Sequence, residues 1–232
     1  MFKKLLYILP FILLGSPTLN ATRLEEYLID TPTAKVAPIR TFSATSRIFS
    51  DGGLVSFFTF TPFDRFSLGT AITLEHIVGT NEEDIKILPP SLQLKFQIYD
   101  GSETWPILAL GFNNQGFYYN HDEDKYLQKA KGLFLAATQE IYVEGLIANY
   151  GLNITTDGFE FEKLHSFIAL NYDLTNYLDL MLEWDNIRSL KTSRVNTGLR
   201  VYIAEFFALD FAVRNLNNKA ERILQIKYNY TF

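Results

Sequence analysis

The chain has 232 residues, with 21 Lys and Arg against 26 Asp and Glu, a net charge of −5 at pH 7, and a mean hydropathy of +0.01. That balance offers no basic nucleic-acid surface, and the absence of cysteine excludes disulfides, thiolate metal sites and a lipidated cysteine. Three histidines (His76, His121 and His165) are a thin basis for a metal centre, and neither metal nor cofactor is expected.

Met1-Phe-Lys-Lys is followed by an apolar run, Leu5 to Leu14, and a small-residue exit ending at Ala21. This is the form of a secretory signal peptide over 1–21; the run is about half of the ~20 residues a spanning helix needs. Residues 22–38 are polar, with Pro32 and Pro38. They read as a periplasmic N-terminal lead-in, extended or with one helical turn, tucked at the mouth of the larger domain that begins at residue 39.

From 39 to 232 the sequence carries twelve candidate strands, each near the ~10 residues of a tilted membrane strand. They run about 39–49, 54–61, 66–77, 91–99, 104–117, 132–140, 142–154, 164–174, 177–185, 195–203, 206–214 and 224–232. The fourth is the clearest: Leu92, Leu94, Phe96 and Ile98 alternate with Gln93, Lys95 and Gln97. A strand turns successive side chains to opposite faces, so each such segment has one apolar and one polar face. The last ends on Tyr228, Tyr230 and Phe232, all on its apolar side. In water such an edge would aggregate. In a closed barrel that face meets lipid, and this ending resembles the C-terminal assembly signal of bacterial outer-membrane barrels. Short turns near Pro62, Asp100, Glu140, Thr175 and Ala204 alternate with mostly longer loops near Asn81, Asp122, Asp157, Lys191 and Asn217. The pattern predicts an all-β, antiparallel outer-membrane β-barrel with its long loops extracellular.

The polar faces carry Arg47, Glu75, Lys95, Asp179, Glu183, Asp185, Arg200, Asp210, Arg214 and Lys227. Twelve strands leave a lumen too small for a wide channel and too large to stay empty. Acids on the ninth and eleventh strands neighbour bases on the tenth, eleventh and twelfth. The expectation is therefore a paired charge network formed by Lys95, Asp179, Glu183, Asp185, Arg200, Asp210, Arg214 and Lys227, with little steady conductance. Catalysis is not expected. His165 and Ser166 are adjacent and so point to opposite faces. The loop acids beside His121 read as solvated, and Asn153-Ile-Thr155 as a chance glycosylation match.

One stretch says more. Leu92 to Gly132 contains L-Q-L-K-F-Q-I-Y-D-G, W-P-I-L-A-L-G-F and K-Y-L-Q-K-A-K-G, with Leu28-Ile-Asp-Thr-Pro-Thr-Ala34 upstream. This resembles the YjbH-like outer-membrane proteins associated with exopolysaccharide production. The matching residues are Tyr99, Asp100, Gly101, Pro106, Ala109, Gly111, Tyr126, Leu127, Ala130 and Lys131, with Pro32-Thr33-Ala34 in the lead-in. This chain is much shorter than full-length members and resembles a single barrel unit of them. The resemblance implies an outer-membrane location and a link to envelope polysaccharide, and it points to no catalytic residue.

The reading is thus a non-enzymatic envelope component, structural or transporting, linked to exopolysaccharide; the alternative is a small passive pore for hydrophilic solutes. The expected partners are outer-membrane lipid, the barrel-assembly machinery and a polysaccharide, and no nucleic acid.

Overall fold

The computed structural model describes residues 26–77, 84–141, 143–189 and 192–232. The signal peptide expected over 1–21 lies outside them. The described strands are β1 (Thr41–Phe49), β2 (Gly53–Phe63), β3 (Phe66–Glu75), β4 (Lys86–Ile87), β5 (Ser91–Tyr99), β6 (Ile107–Asn113), β7 (Phe117–Asn120), β8 (Lys125–Gln128), β9 (Ala130–Glu140), β10 (Leu146–Asp157), β11 (Glu160–Thr175), β12 (Leu178–Ile187), β13 (Arg194–Ala204), β14 (Phe207–Arg214) and β15 (Glu221–Thr231). Twelve of these form one closed antiparallel barrel. β1 pairs with β15 from Thr41↔Thr231 to Ile48↔Leu224, and β2 pairs with both β1 and β3, so the sheet has no free edge. β4 is a two-residue spur on β3, and β7–β8 is a separate hairpin.

Alternation along each strand sorts the residues between two environments. On the outside, Phe96, Leu110, Leu135 and Leu152 are opposed in turn across β5, β6, β9 and β10. Leu180, Leu199, Phe211, Leu224, Ile48, Leu54 and Leu74 continue such a row from β12 through the β15–β1 closure to β3. Many of these side chains are half exposed, such as Leu110 and Phe211 at 50%. An apolar surface that encircles the molecule is untenable in water and suits a hydrocarbon layer. The outer-membrane barrel expected from the alternation is the observed architecture.

On the inside the same register aligns polar groups. Arg47, Gln225, Asp210, Arg200 and Asp179 are directly opposed, one after another, across β1, β15, β14, β13 and β12. Glycine makes room where large rings enter the lumen: a Cβ on Gly111 would lie 2.1 Å from the Phe134 ring, and one on Gly151 2.6 Å from the Phe167 ring.

Two expectations change. The stretch 155–163 is not a loop: β10 and β11 run on to a tight turn at Gly158 and Phe159, past a register shift between Ile154 and Thr156. Phe159 and Phe161 continue the outward alternation and pack on Phe112 at 5.7 and 6.3 Å between ring centroids. The fifth strand is also shorter than expected, ending at Asn113, where the chain leaves the wall to form β7–β8. That hairpin occupies the stretch read as the longest loop.

Candidate functional site

The candidate site is the lumen, and residues 26–38 occupy it. Within the segment Leu28 N–H donates to the Thr31 carbonyl at 3.0 Å, and Thr33 N–H to the Glu26 carbonyl at 3.0 Å. With the Tyr27–Pro32 bridge, these bonds make a small hairpin whose tip is Ile29 and Asp30. Leu28, Thr31 and Ala34 are fully buried, and Ile29, Thr33 and Ala37 nearly so. Leu28 and Ile29 join an inward apolar cluster with Val55, Ala169, Met181, Ala212 and Ile223. Ala34 packs with Ala109, Phe134 and Phe167. Burying a side chain such as Leu28 contributes about 1.5–3 kcal/mol, so the segment has an apolar reason to stay as well as a polar one.

The polar contacts are matched to a backbone. Glu183 accepts N–H bonds from Ile29 (2.8 Å), Asp30 (3.1 Å) and Thr31 (3.0 Å), and a fourth from the Asn196 side-chain amide at 2.8 Å. A buried carboxylate needs either a cation or several donors; here the tip of the segment supplies the donors. Arg200 donates to the carbonyls of Tyr27 (3.3 Å) and Leu28 (3.2 Å), and Lys227 to that of Tyr27 at 3.1 Å. Lys95 donates to the Glu26 carbonyl at 2.6 Å and lies 4.7 Å from the centroid of the Tyr27 ring. Asn113 donates to the Tyr27 hydroxyl at 3.2 Å, and Ala34 N–H donates to Thr138 Oγ1 at 2.8 Å.

Asp30 is the electrostatic centre. Arg47 Nη1 lies 2.8 Å from one of its carboxylate oxygens and Arg214 Nε 2.7 Å from the other. Arg47 also donates to the Ile29 carbonyl and, at 2.9 Å, to Gln225. Arg214 reaches Glu221 at 3.0 Å. Burial pushes the Asp30 carboxyl upward, but the fields of Arg214 and Arg47 outweigh it and hold the group well below the usual carboxylate range.

The lumen also has a cover at the end opposite the Thr41–Thr231 rim. The Phe117 ring of β7 lies over the Arg47 and Arg214 guanidinium carbons, with its centroid at 5.2 and 4.4 Å. Phe117 and Tyr118 pack edge-on against Phe49. Gln115 donates to Thr73 Oγ1 at 3.1 Å, and His121 contacts Glu75 at 2.7 Å. Hairpin and segment thus meet on the same two arginines. The space left beside the segment is a cavity of about 100 Å³, room for a few waters but not for a file of solutes.

All eight charged residues singled out from the sequence (Lys95, Asp179, Glu183, Asp185, Arg200, Asp210, Arg214 and Lys227) are buried on the inner face. Their partners only partly follow the cross-strand pairing expected of them. Arg200 and Asp210 pair at 2.7 Å, and Lys227 lies 3.5 Å from Asp210. Asp179 accepts the Tyr202 hydroxyl bond at 2.8 Å. Asp185 pairs with Lys131 and, at 2.7 Å, with Arg194. Glu183, Lys95 and the second arm of Arg214 turn to residues 26–38. Sequence reasoning missed Tyr27, Asp30, Lys131, Arg194 and Glu221. Lys131 and Arg194 sit at strand ends drawn as loop, and Glu221 just ahead of the last strand as drawn. Residues 22–38 were expected at the mouth; 26–38 lie inside the lumen instead, held there by the buried contacts of Leu28, Ile29 and Asp30. Tyr228, Tyr230 and Phe232 lie exposed on the outer face. His165 and Ser166 bond different carbonyls, those of Lys163 and Ile187.

No protein-family model and no curated protein matches the chain. Solved structures do resemble its fold. A KdgM porin superposes with a TM-score of 0.59 at 9% identity, covering 82% of this chain and 99% of that one. A KdgM porin in complex with disordered oligogalacturonate gives 0.54 at 8% identity, covering 83% and 99%. An outer membrane channel from Pseudomonas putida F1 gives 0.46 at 10% identity, covering 88% and 100%. At these identities the likeness is one of fold.

Proposed function

We propose that this protein is a non-enzymatic conduit of the bacterial outer membrane for a hydrophilic solute, held closed by its own residues 26–38. The observation that carries the reading is the fit of that segment. Glu183, Arg200, Lys227 and Lys95 bond its backbone, and Arg47 and Arg214 bond Asp30. A lumen that needed only to be filled could have been filled by wall side chains; this one is shaped around a segment of its own chain, whose departure would open it. The solved folds it resembles are named as porins, which supports a transporting role. In this orientation the Thr41–Thr231 rim is periplasmic, the β7–β8 hairpin covers the outer mouth, and Tyr228, Tyr230 and Phe232 present the strand read by the assembly machinery.

The solute is a polysaccharide of the envelope. The sequence resemblance to exopolysaccharide-associated barrels supports this, and its lead-in motif, Leu28 to Ala34, is the segment found in the lumen. A passive pore for small solutes is the second reading, favoured by the porin folds. Planar-bilayer recording separates the two. The wild type should be silent, and Asp30→Ala with Glu183→Ala should give steady currents. Large, stable currents from the wild type would overturn the closed conduit and establish the passive pore.

A further inference from the structure

We propose that Arg47 and Arg214 form a carboxylate-binding site for an acidic glycan, and that Asp30 occupies it in place of the solute. The inference rests on the closed-conduit reading and names its substrate class. Two guanidinium groups grip the two oxygens of one carboxylate at 2.8 and 2.7 Å, and both lie against the Phe117 ring. Planar cations held in this way present the geometry that carboxylate recognition requires.

Departure of residues 26–38 would change the balance of the lumen. Arg47 would lose Asp30 and the Ile29 carbonyl, keeping Gln225. Arg214 would keep Glu221 alone of its two carboxylates. Lys95 would lose the Glu26 and Lys35 carbonyls. The segment takes out two acids, Glu26 and Asp30, and one base, Lys35; the acid lost from between the arginines is Asp30, so the vacated lumen attracts an anion where Asp30 had been.

The walls indicate what kind of anion. The apolar pocket for Leu28 and Ile29 is built by Val55 and Ala71 together with Ala169, Met181, Ala212 and Ile223. Beside it, the remaining cavity is lined by Ser43, Thr59, Gln93, Asn113, Gln225 and Asn229. Hydroxyls and amides donate and accept in turn, as sugar hydroxyls do. A polymer of hexuronic acid offers both features: a hydroxylated chain for this flank and a carboxylate for the arginine pair.

Calorimetry on folded protein in detergent tests the site without needing a current. The probe is a tetramer of mannuronic acid, with maltotetraose as its neutral counterpart and tetraglutamate and sulfate as other anions. Asp30→Ala should bind the acidic tetramer at least about tenfold more tightly than the wild type does. Adding Arg47→Gln or Arg214→Gln should remove that gain, while unboiled gel migration shows the barrel still folded. Equal binding of maltotetraose, or equal binding by Asp30→Ala and wild type, would overturn the proposal. Tetraglutamate or sulfate binding as tightly as the glycan would overturn its glycan part. Failure of the conduit reading shows elsewhere, as absent current in the opened variants.

Discussion

The two faces of the same twelve strands obey different rules. The outer face meets one environment, so each residue there is decided by its own polarity, and neighbours contribute little beyond being apolar. The inner face is decided by partners. Glu183 would be an untenable buried carboxylate without the N–H groups of Ile29, Asp30 and Thr31, which lie more than 150 positions away in the chain. The difference teaches that an outward residue can be exchanged within its class, whereas an inward charge is fixed by the group it meets.

Substitutions sharpen the contrast, beginning with the largest expected effect. Asp210→Ala should cost about 3–5 kcal/mol, because it strips Arg200 of its buried partner and weakens Lys227 and Gln225 as well. Chemical denaturation of the barrel refolded into lipid would show this, and a loss under about 1 kcal/mol would mean water reaches the pair. On the other face, Leu110→Arg should cost about 2–4 kcal/mol near the middle of the hydrocarbon, read in the same assay. Leu110→Phe should be close to neutral there, as the one-environment rule requires.

Smaller effects belong to the segment. Thr138→Val removes the acceptor for the Ala34 N–H and the donor to Asn149 Oδ1 on β10. A lost hydrogen bond that leaves a buried group unpaired costs about 1–3 kcal/mol; the Ala34 loss should appear as brief openings in single-channel records, and the Asn149 loss as a slightly less stable barrel. The smallest effect is that of pH between 8 and 5. Asp30 has a carboxyl depressed by Arg214 and Arg47. Its contribution is complete above the unfolded carboxylate value of about 3.9 and is lost only as pH falls through the lower folded value. Asp30 therefore keeps its charge from pH 8 to 5, so in Glu183→Gln, which removes the other acid bonded to the segment, conductance should stay flat across that range; opening on acidification in that variant would show that Asp30 does not hold the segment.

Much of the wall was legible in the sequence because alternation is a local signal. Leu92 to Ile98 against Gln93 to Gln97 sets the facing of β5 without reference to any other strand. It failed where local composition misled. Glu160, Glu162 and Lys163 made a strand look like loop, though Phe159 and Phe161 kept the period. Most of the lumen charges were legible as inward, since Lys95, Asp179, Glu183, Arg200, Asp210 and Lys227 each sit between two apolar neighbours, and Asp185 and Arg214 keep the period of their strands. Their partners were not, because a hydrogen bond from a backbone N–H leaves no mark in the identity of the residue that donates it. Residues 26–38 have no strand period either; their place is set by Asp30, Leu28 and Ile29 meeting groups on five or more strands.

Because the sequence has no cysteine, the seating of residues 26–38 in the lumen can be tested directly. Ala34→Cys with Thr138→Cys places two thiols where the Ala34 N–H now bonds the Thr138 side chain at 2.8 Å. Ser43→Cys with Asn229→Cys, a directly opposed pair on β1 and β15, serves as the control for oxidation. After mild oxidation in intact outer membranes, both pairs should form a disulfide in most molecules, seen as a mobility shift that a reductant reverses. Cross-linking of the wall pair alone, with both thiols of the segment pair labelled by a water-soluble maleimide, would contradict the account.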